Sequence, residues 1–235
     1  QWRVRLSRWG GRSGDRVAIL AQNRAEFISL LFGCIRYGAI LVPLNWRLSP
    51  LELSRVLEDA EPTVVLGEDR WRGVAETAMA SIGWDRVPVW YDLDRDMAAG
   101  AGDAPPPSAH SLTDAAMLLY TSGTTGMPKG VVIPHRQLLW NAIATTTAWR
   151  IGADDVGPIA TPFFHTGGWN VFATPMLLRG GALVMTDGFD AEGYVDMLER
   201  YGVTLTFGVP TQLAMVRETA SWGRPLPALR TFISG

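Results

Sequence analysis

Residues 17–44 read VAILAQNRAEFISLLFGCIRYGAILVPL, and this stretch decides the fold class. It opens on an apolar, β-branched run, Val17 to Leu20, which predicts a strand. Asn23 with Glu26 three residues on predicts a helix start, because each side chain can satisfy an orphan amide there. Phe27, Leu30, Leu31, Cys34 and Ile35 then recur at i, i+3, i+4, i+7 and i+8, which places them on one face that has to be buried. Gly38 ends the helix, and Ile40 to Leu44 is a second strand. Strand, amphipathic helix, strand is the unit from which largely parallel sheets are built.

The same alternation continues on the C-terminal side. Ser49-Pro50-Leu51-Glu52 is a capping box with proline at the first helical position, and Leu53, Val56, Leu57 and Ala60 form the inner face of the helix it starts. Thr63 to Leu66 and Val87 to Tyr91 are further strands, separated by a helix from about Trp71 to Ile82. Residues 97–111 break the pattern with alanine, glycine and three consecutive prolines, a composition suited to a linker. Ala115 to Tyr120 is again strand-like, Val131 to Ile133 is a short strand, and a long helix runs from about Arg136 to Arg150. Gly152-Ala153-Asp154-Asp155 breaks that helix, and more strands follow at Gly157 to Pro162, Ala182 to Thr186 and Thr204 to Val209. The expectation is an α/β chain of two subdomains, 1–152 and 153–235, the second one incomplete.

Composition narrows the functional classes. A formal charge of −2 and 47% hydrophobic residues in 235 describe a globular chain with ample core and give no general reason to expect a nucleic-acid partner. The single cysteine, Cys34, excludes an internal disulfide and a cysteine-based metal site, which favours a cytoplasmic location. No apolar run is long enough for a transmembrane segment. The opening Gln1 resembles mid-helix sequence, and 231–235 reads as a strand entering a turn, so the chain is expected to be a fragment. Of the 21 basic residues, only Lys129 is a lysine.

That lysine lies in Tyr120-Thr121-Ser122-Gly123-Thr124-Thr125-Gly126-Met127-Pro128-Lys129-Gly130, a polar loop between two strands. Gly123, Gly126 and Gly130 let backbone amides converge on one point, while Thr121, Ser122, Thr124 and Thr125 add rotatable hydroxyls, a concavity suited to phosphate oxygens. Lys129 supplies a compact charge toward the pyrophosphate end of a nucleotide. In a Walker loop a glycine would precede the lysine and a hydroxyl residue would follow it; here Pro128 and Gly130 stand there, which disfavours a P-loop NTPase. A generic loop of this composition would be read as a surface turn, but its order and spacing match a known signature.

The segment, continuing through Gly130-Val131-Val132-Ile133-Pro134-His135-Arg136, resembles the phosphate-binding signature of the adenylate-forming superfamily, which includes acyl-CoA synthetases, aryl-CoA ligases, luciferases and peptide-synthetase adenylation domains. The resemblance extends over essentially the whole chain. It implies that a carboxylate attacks the α-phosphate of ATP, with Mg2+ as cofactor, to give an acyl-adenylate, and that coenzyme A then displaces AMP. It assigns Thr121, Ser122, Gly123, Thr124, Thr125, Gly126 and Lys129 to the ATP phosphates. No residue is assigned as a metal ligand, and oligomeric state is not legible.

Thr161-Pro162-Phe163-Phe164-His165-Thr166-Gly167-Gly168-Trp169 resembles the acyl-pocket motif of fatty acyl-CoA synthetases. There the histidine lies near the reacting carboxylate and the aromatic residue at the place of Trp169 gates the acyl tunnel. Taken alone, His165 among aromatics reads as a packed core histidine. The resemblance instead implies substrate contacts for His165, Gly168 and Trp169, and for Gly208 at a strand end. A carboxylate is already ionised at neutral pH, so His165 fits positioning better than general-base chemistry. Peptide-synthetase domains place an aspartate beside this phenylalanine, whereas no acid lies between Thr161 and Met185. An unpaired buried ammonium would be costly, which favours a fatty, alicyclic or aryl acid. A peptide-synthetase domain, a luciferase-like enzyme and a non-catalytic nucleotide-binding remnant stand as alternatives. The resemblance also implies that the lid domain carrying the adenylation lysine is missing, so the isolated chain is expected to be inactive.

Overall fold

The computed structural model describes residues 1–85, 87–96, 106–121 and 127–234. The chain divides into two units, Gln1–Arg136 and Gln137–Gly235. The division falls in the first turn of a helix, earlier than the expected break after residue 152.

The first unit runs α1 (Trp2–Arg8), β1 (Arg16–Leu20), α2 (Ala25–Tyr37), β2 (Ile40–Pro43), α3 (Pro50–Ala60), β3 (Val64–Gly67), α4 (Arg72–Ala80), β4 (Val89–Asp92), β5 (Ala115–Thr121) and β6 (Lys129–Pro134). The strands form one sheet in the order β4-β3-β1-β2-β5-β6. Its first five strands are parallel and β6 is antiparallel to β5. The α/β reading with a mostly parallel sheet therefore holds.

Sheet burial explains the apolar runs. Val17, Ala18, Ile19 and Leu20 alternate between the two faces, yet none is more than 2% exposed. On one side α3 and α4 contribute Leu53, Val56, Leu57, Ala75 and Ala78 to a core shared with Ala18, Val42 and Val65. Phe27, Leu30, Leu31 and Cys34 of α2 are buried as their spacing requires. Burial pushes the Cys34 thiol well above its ordinary range, which leaves it unreactive. β6 is an edge strand, with Val131 43% and Val132 59% exposed.

Local helix signals are met at some termini and displaced at others. The Ser49 to Glu52 capping box is formed, with the Ser49 amide donating to Glu52 Oε2 at 2.9 Å and the Glu52 amide donating to Ser49 Oγ at 3.4 Å. Gly38 terminates α2 in the left-handed conformation, φ 90°. The expected cap at Asn23 is corrected: Arg24 holds the N-cap position with no side-chain cap bond. Its guanidinium grips Glu26 through two bonds, 2.9 and 3.1 Å, because a bidentate charge-assisted pair is the stronger use of that carboxylate. The second strand of the loop hairpin starts at Lys129, two residues before its expected start.

In the second unit, α5 (His135–Ala148, beginning in the first unit) is followed by β7 (Val156–Ile159) and a π-helical segment at Gly168–Ala173. Then come α6 (Thr174–Arg179), β8 (Ala182–Met185), α7 (Ala191–Arg200), β9 (Leu205–Phe207), α8 (Pro210–Arg217) and β10 (Thr231–Ile233). β7 pairs with β8 and β9 with β10, both parallel. Thr204 joins the pairs: its amide donates to Val156 O at 2.9 Å and its Oγ1 accepts from the Val156 amide at 3.0 Å. Phe172, Met176 and Leu205 are packed together beneath these strands. Among the described residues, no helix is long and apolar enough to cross a membrane.

Candidate functional site

In the first unit the polar loop connects the carboxyl end of β5 to β6. Ligands of open α/β sheets gather beyond the carboxyl ends of parallel strands, so the loop is at the usual edge for a binding site. Leu119 faces Val131, Tyr120 faces Gly130, and Thr121 faces Lys129. Directly opposed residues of an antiparallel pair project to the same face, which brings Thr121 and Lys129 together at the mouth. Both are exposed. Ser122, Gly123, Thr124, Thr125 and Gly126 lie outside the described residues.

Two further features brace the hairpin. The Tyr120 hydroxyl donates to Asp59 Oδ2 at 2.5 Å. At the other end, His135 opens α5 and its ring lies 5.5 Å from that of His110. Burial first, then the neighbouring His110, lowers the pKa of His135 against an opposing pull from Asp114. This pairing packs the end of the expected linker beside the start of α5.

In the second unit the acyl motif folds into a turn leading to the π-helical segment. The Gly168 amide donates to His165 O at 3.1 Å, and the His165 amide to Pro162 O at 3.0 Å. Gly168 is needed for close approach: a Cβ there would lie 2.7 Å from Pro162 O and 3.0 Å from Phe163 Cα. Trp169 is 1% exposed, donates from Nε1 to Phe163 O at 2.6 Å, and packs its ring 4.4 Å from that of Phe163. His165 is exposed, with its ring 4.5 Å from Phe164.

A narrow cleft in this unit is lined by Ala160, Thr161, Gly167, Gly168, Phe172 and Phe207. It joins the acyl motif to the end of β9. Gly208 follows that strand, is buried, and donates its amide to Ile233 O at 3.0 Å. The cleft therefore brings Gly168 to the strand end that carries Gly208, while the indole of Trp169 is turned into the core. Lys129 and His165 belong to different units.

The π-helical geometry of 168–173 has only one sequence signal, the Gly167-Gly168 pair, and π segments often accompany functional sites. The Asn141 side chain, which donates to Asn170 O at 2.9 Å, ties this segment to α5 and has no local signal at all. Among the described residues, no group of three or more His, Cys, Asp or Glu side chains is placed to hold a metal ion.

Comparison with known proteins places these features in context. A feruloyl-CoA synthase from Amycolatopsis sp is 36% identical over 229 residues, covering 96% of this chain and 45% of that protein. An indoleacetate-CoA ligase from Aromatoleum aromaticum is 35% identical over 227 residues, covering 93% and 44%. Among solved structures, ATP-bound MatB from Rhodopseudomonas palustris superposes with a TM-score of 0.87 at 32% identity, covering 100% of this chain and 47% of that one. A Mycobacterium tuberculosis fatty acyl CoA synthetase gives 0.85 at 27%, with the same two coverages. The chain thus spans under half the length of these relatives. The family described as AMP-binding enzyme matches residues 4–235, and the chain belongs to it.

Proposed function

We propose that this chain is part of an ATP-dependent acyl-CoA synthetase, an AMP-forming acid-thiol ligase acting in the cytoplasm on a fatty, alicyclic or aryl acid. The observation that carries the reading is the hairpin mouth, where Thr121 and the sole lysine of the chain oppose each other beyond the carboxyl end of β5. The named activities of the relatives, thioester formation between an acid and CoA, support it.

In the first half-reaction an oxygen of the substrate carboxylate attacks the α-phosphorus of ATP. The bond to the bridging oxygen breaks and pyrophosphate leaves with its electron pair. Lys129, with the hydroxyls and amides of Thr121, Ser122, Gly123, Thr124, Thr125 and Gly126, stabilises the phosphate charge. His165 orients the carboxylate, and Gly168 and Gly208, each packed closely against its own neighbours, set the backbone that borders the acyl group. Trp169 is assigned the gate, so entry of a long acyl chain requires the indole to leave Phe163. In the second half-reaction the CoA thiolate attacks the acyl carbonyl and AMP departs. Mg2+ would enter with the ATP phosphates and offset part of their charge.

The substrate reading rests on charge. No acid lies between Thr161 and Met185 to pair with an α-ammonium. The domain division proposed is 1–152 and 153–235, the latter incomplete. ATP-pyrophosphate exchange tests the proposal. A form extended by a lid domain is expected to exchange with aryl or fatty acids and not with amino acids, while the 235-residue chain alone is expected to be inactive. Exchange dependent on an amino acid overturns the substrate class, and robust exchange by the chain alone overturns its incompleteness.

A further inference from the structure

A contact far from the loop in sequence fixes the strand that leads into it. Tyr120 is the penultimate residue of β5, one position before Thr121. Its hydroxyl donates to Asp59 Oδ2 at 2.5 Å, a bond that spans 61 residues of sequence. Asp59 is in the last turn of α3, and α3 is held at both ends. The capping box closes its N-terminus. At its C-terminus Arg16 of β1 donates from Nε to Ala60 O at 2.8 Å and from Nη2 to Glu61 O at 2.9 Å. Leu53, Val56, Leu57 and Ala60 anchor the same helix on the sheet. Asp59, itself exposed, thus projects from a helix whose backbone is anchored at both ends.

The other side of the Tyr120 ring meets β6. Gly130 is its direct partner across the hairpin. A Cβ at Gly130 would lie 3.2 Å from Tyr120 Cζ, 3.3 Å from Tyr120 Oη and 3.0 Å from Leu118 Cδ1. The β6 backbone therefore sits against the tyrosine ring with no side chain between them, and Lys129 is the next residue. Ring and hydroxyl have separable duties: the ring supports the strand that bears Lys129, and the hydroxyl sets where the ring lies.

We propose that Tyr120, held by Asp59, is a positioning residue that fixes the mouth of the β5–β6 hairpin so that Thr121 and Lys129 are presented together to phosphate. The inference rests on the reading of this loop as the ATP-phosphate site. Burial first, and then Asp59, hold the phenol well above its ordinary pKa, so it remains a donor at every working pH.

The test is a double-mutant cycle with two readouts on a form extended by a lid domain. ATP is titrated by calorimetry, and amide hydrogen exchange is followed in β6. Tyr120→Phe keeps the ring and removes the hydroxyl. It is expected to weaken ATP binding by about tenfold and to speed exchange of the β6 amides that bond to β5, leaving β1 protected as before. Asp59→Ala should reproduce both effects, the double variant should add little to either single one, and Asp59→Asn, which keeps an acceptor, should recover most of the loss. A variant that merely loosened the fold would not show this rescue or this confinement to β6. Unchanged ATP affinity in Tyr120→Phe, unchanged exchange in β6, or simple additivity overturns the proposal. A wild-type extended form that fails to bind ATP at millimolar concentration overturns instead the phosphate reading of the loop, while hydrogen exchange still reports whether the pair sets the hairpin mouth.

Discussion

Asp155→Asn is the sharpest probe of how the second unit is held. Asp155 Oδ1 accepts from Thr204 Oγ1 at 2.7 Å and Arg230 Nε at 3.1 Å. Its Oδ2 accepts from the Gly152 amide at 2.8 Å and Arg230 Nη2 at 2.7 Å. The carboxylate ties the start of β7 to the residue before β9 and the residue before β10, and so aligns the strands whose far ends border the cleft. Burial alone would raise its pKa, but Arg230, Gly152 and Thr204 overcome that and hold it at about 2, from an ordinary 3.8. At 1.36 kcal/mol per pH unit this corresponds to roughly 2 kcal/mol of folding stability. Because the Arg230 side chain is 39% exposed, solvent screening reduces the figure to about 1–2 kcal/mol. A depressed carboxylate contributes fully above its unfolded pKa, so the stability is present above 3.8 and is lost as pH falls through about 2. Asparagine keeps the shape and cannot carry the charge. Urea unfolding followed by tryptophan fluorescence is expected to show a loss of about 1–2 kcal/mol for the variant near neutral pH. The gap to wild type should narrow steadily between about pH 4 and the most acid condition at which the protein folds. A gap of the same size at both ends of that range refutes the charge as its source.

Other outcomes follow from the same geometry. In a form extended by a lid, Lys129→Ala should lower kcat/KM for ATP in pyrophosphate exchange by about tenfold or more, and unchanged exchange kinetics would remove its assigned role. Gly168→Ala forces a methyl group against the Pro162 carbonyl and should cost about 1–3 kcal/mol. Gly73→Ala in α4 meets nothing within 4 Å and should stabilise by about 0.5–1 kcal/mol, so equal melting shifts for the two would contradict the packing described. Cys34 should resist a thiol reagent in the native state and react on addition of urea, and rapid native labelling would show that α2 opens readily.

The parts of the fold that were legible in sequence depend on neighbours along the chain. The capping box at Ser49 works through residues three apart, and the inner faces of α2 and α3 repeat with the helical period, so each announces itself locally. Asn23 and Glu26 carry the same local signal and mislead, because Arg24 offers the carboxylate a stronger partner. The hairpin carrying the loop was legible as two strands around a glycine-rich stretch. Its register was not, since pairing of Tyr120 with Gly130 depends on a ring that rests on a glycine across the sheet. Likewise the residues of the acyl motif were recognised by type, but the inward turn of Trp169 toward the Phe163 carbonyl and the π-helical winding after it arise from packing among residues scattered from Asn141 to Phe207. Sequence resemblance assigns these positions their expected roles; tertiary contacts decide how they are presented.

The edge strand β6 carries a consequence for handling the protein. An edge offers unsatisfied amides and carbonyls to any passing strand, and Val131 and Val132 add exposed apolar surface beside them. The charge that β6 sets against such pairing is Lys129, at its first position. The same ammonium that would meet phosphate therefore also acts as a gatekeeper against self-association. Neutralising it removes the phosphate contact and the gatekeeper together, so a Lys129→Ala preparation of the extended form is expected to lose activity by two routes that differ in their dependence on protein concentration: the phosphate route is independent of it, and the aggregation route grows with it.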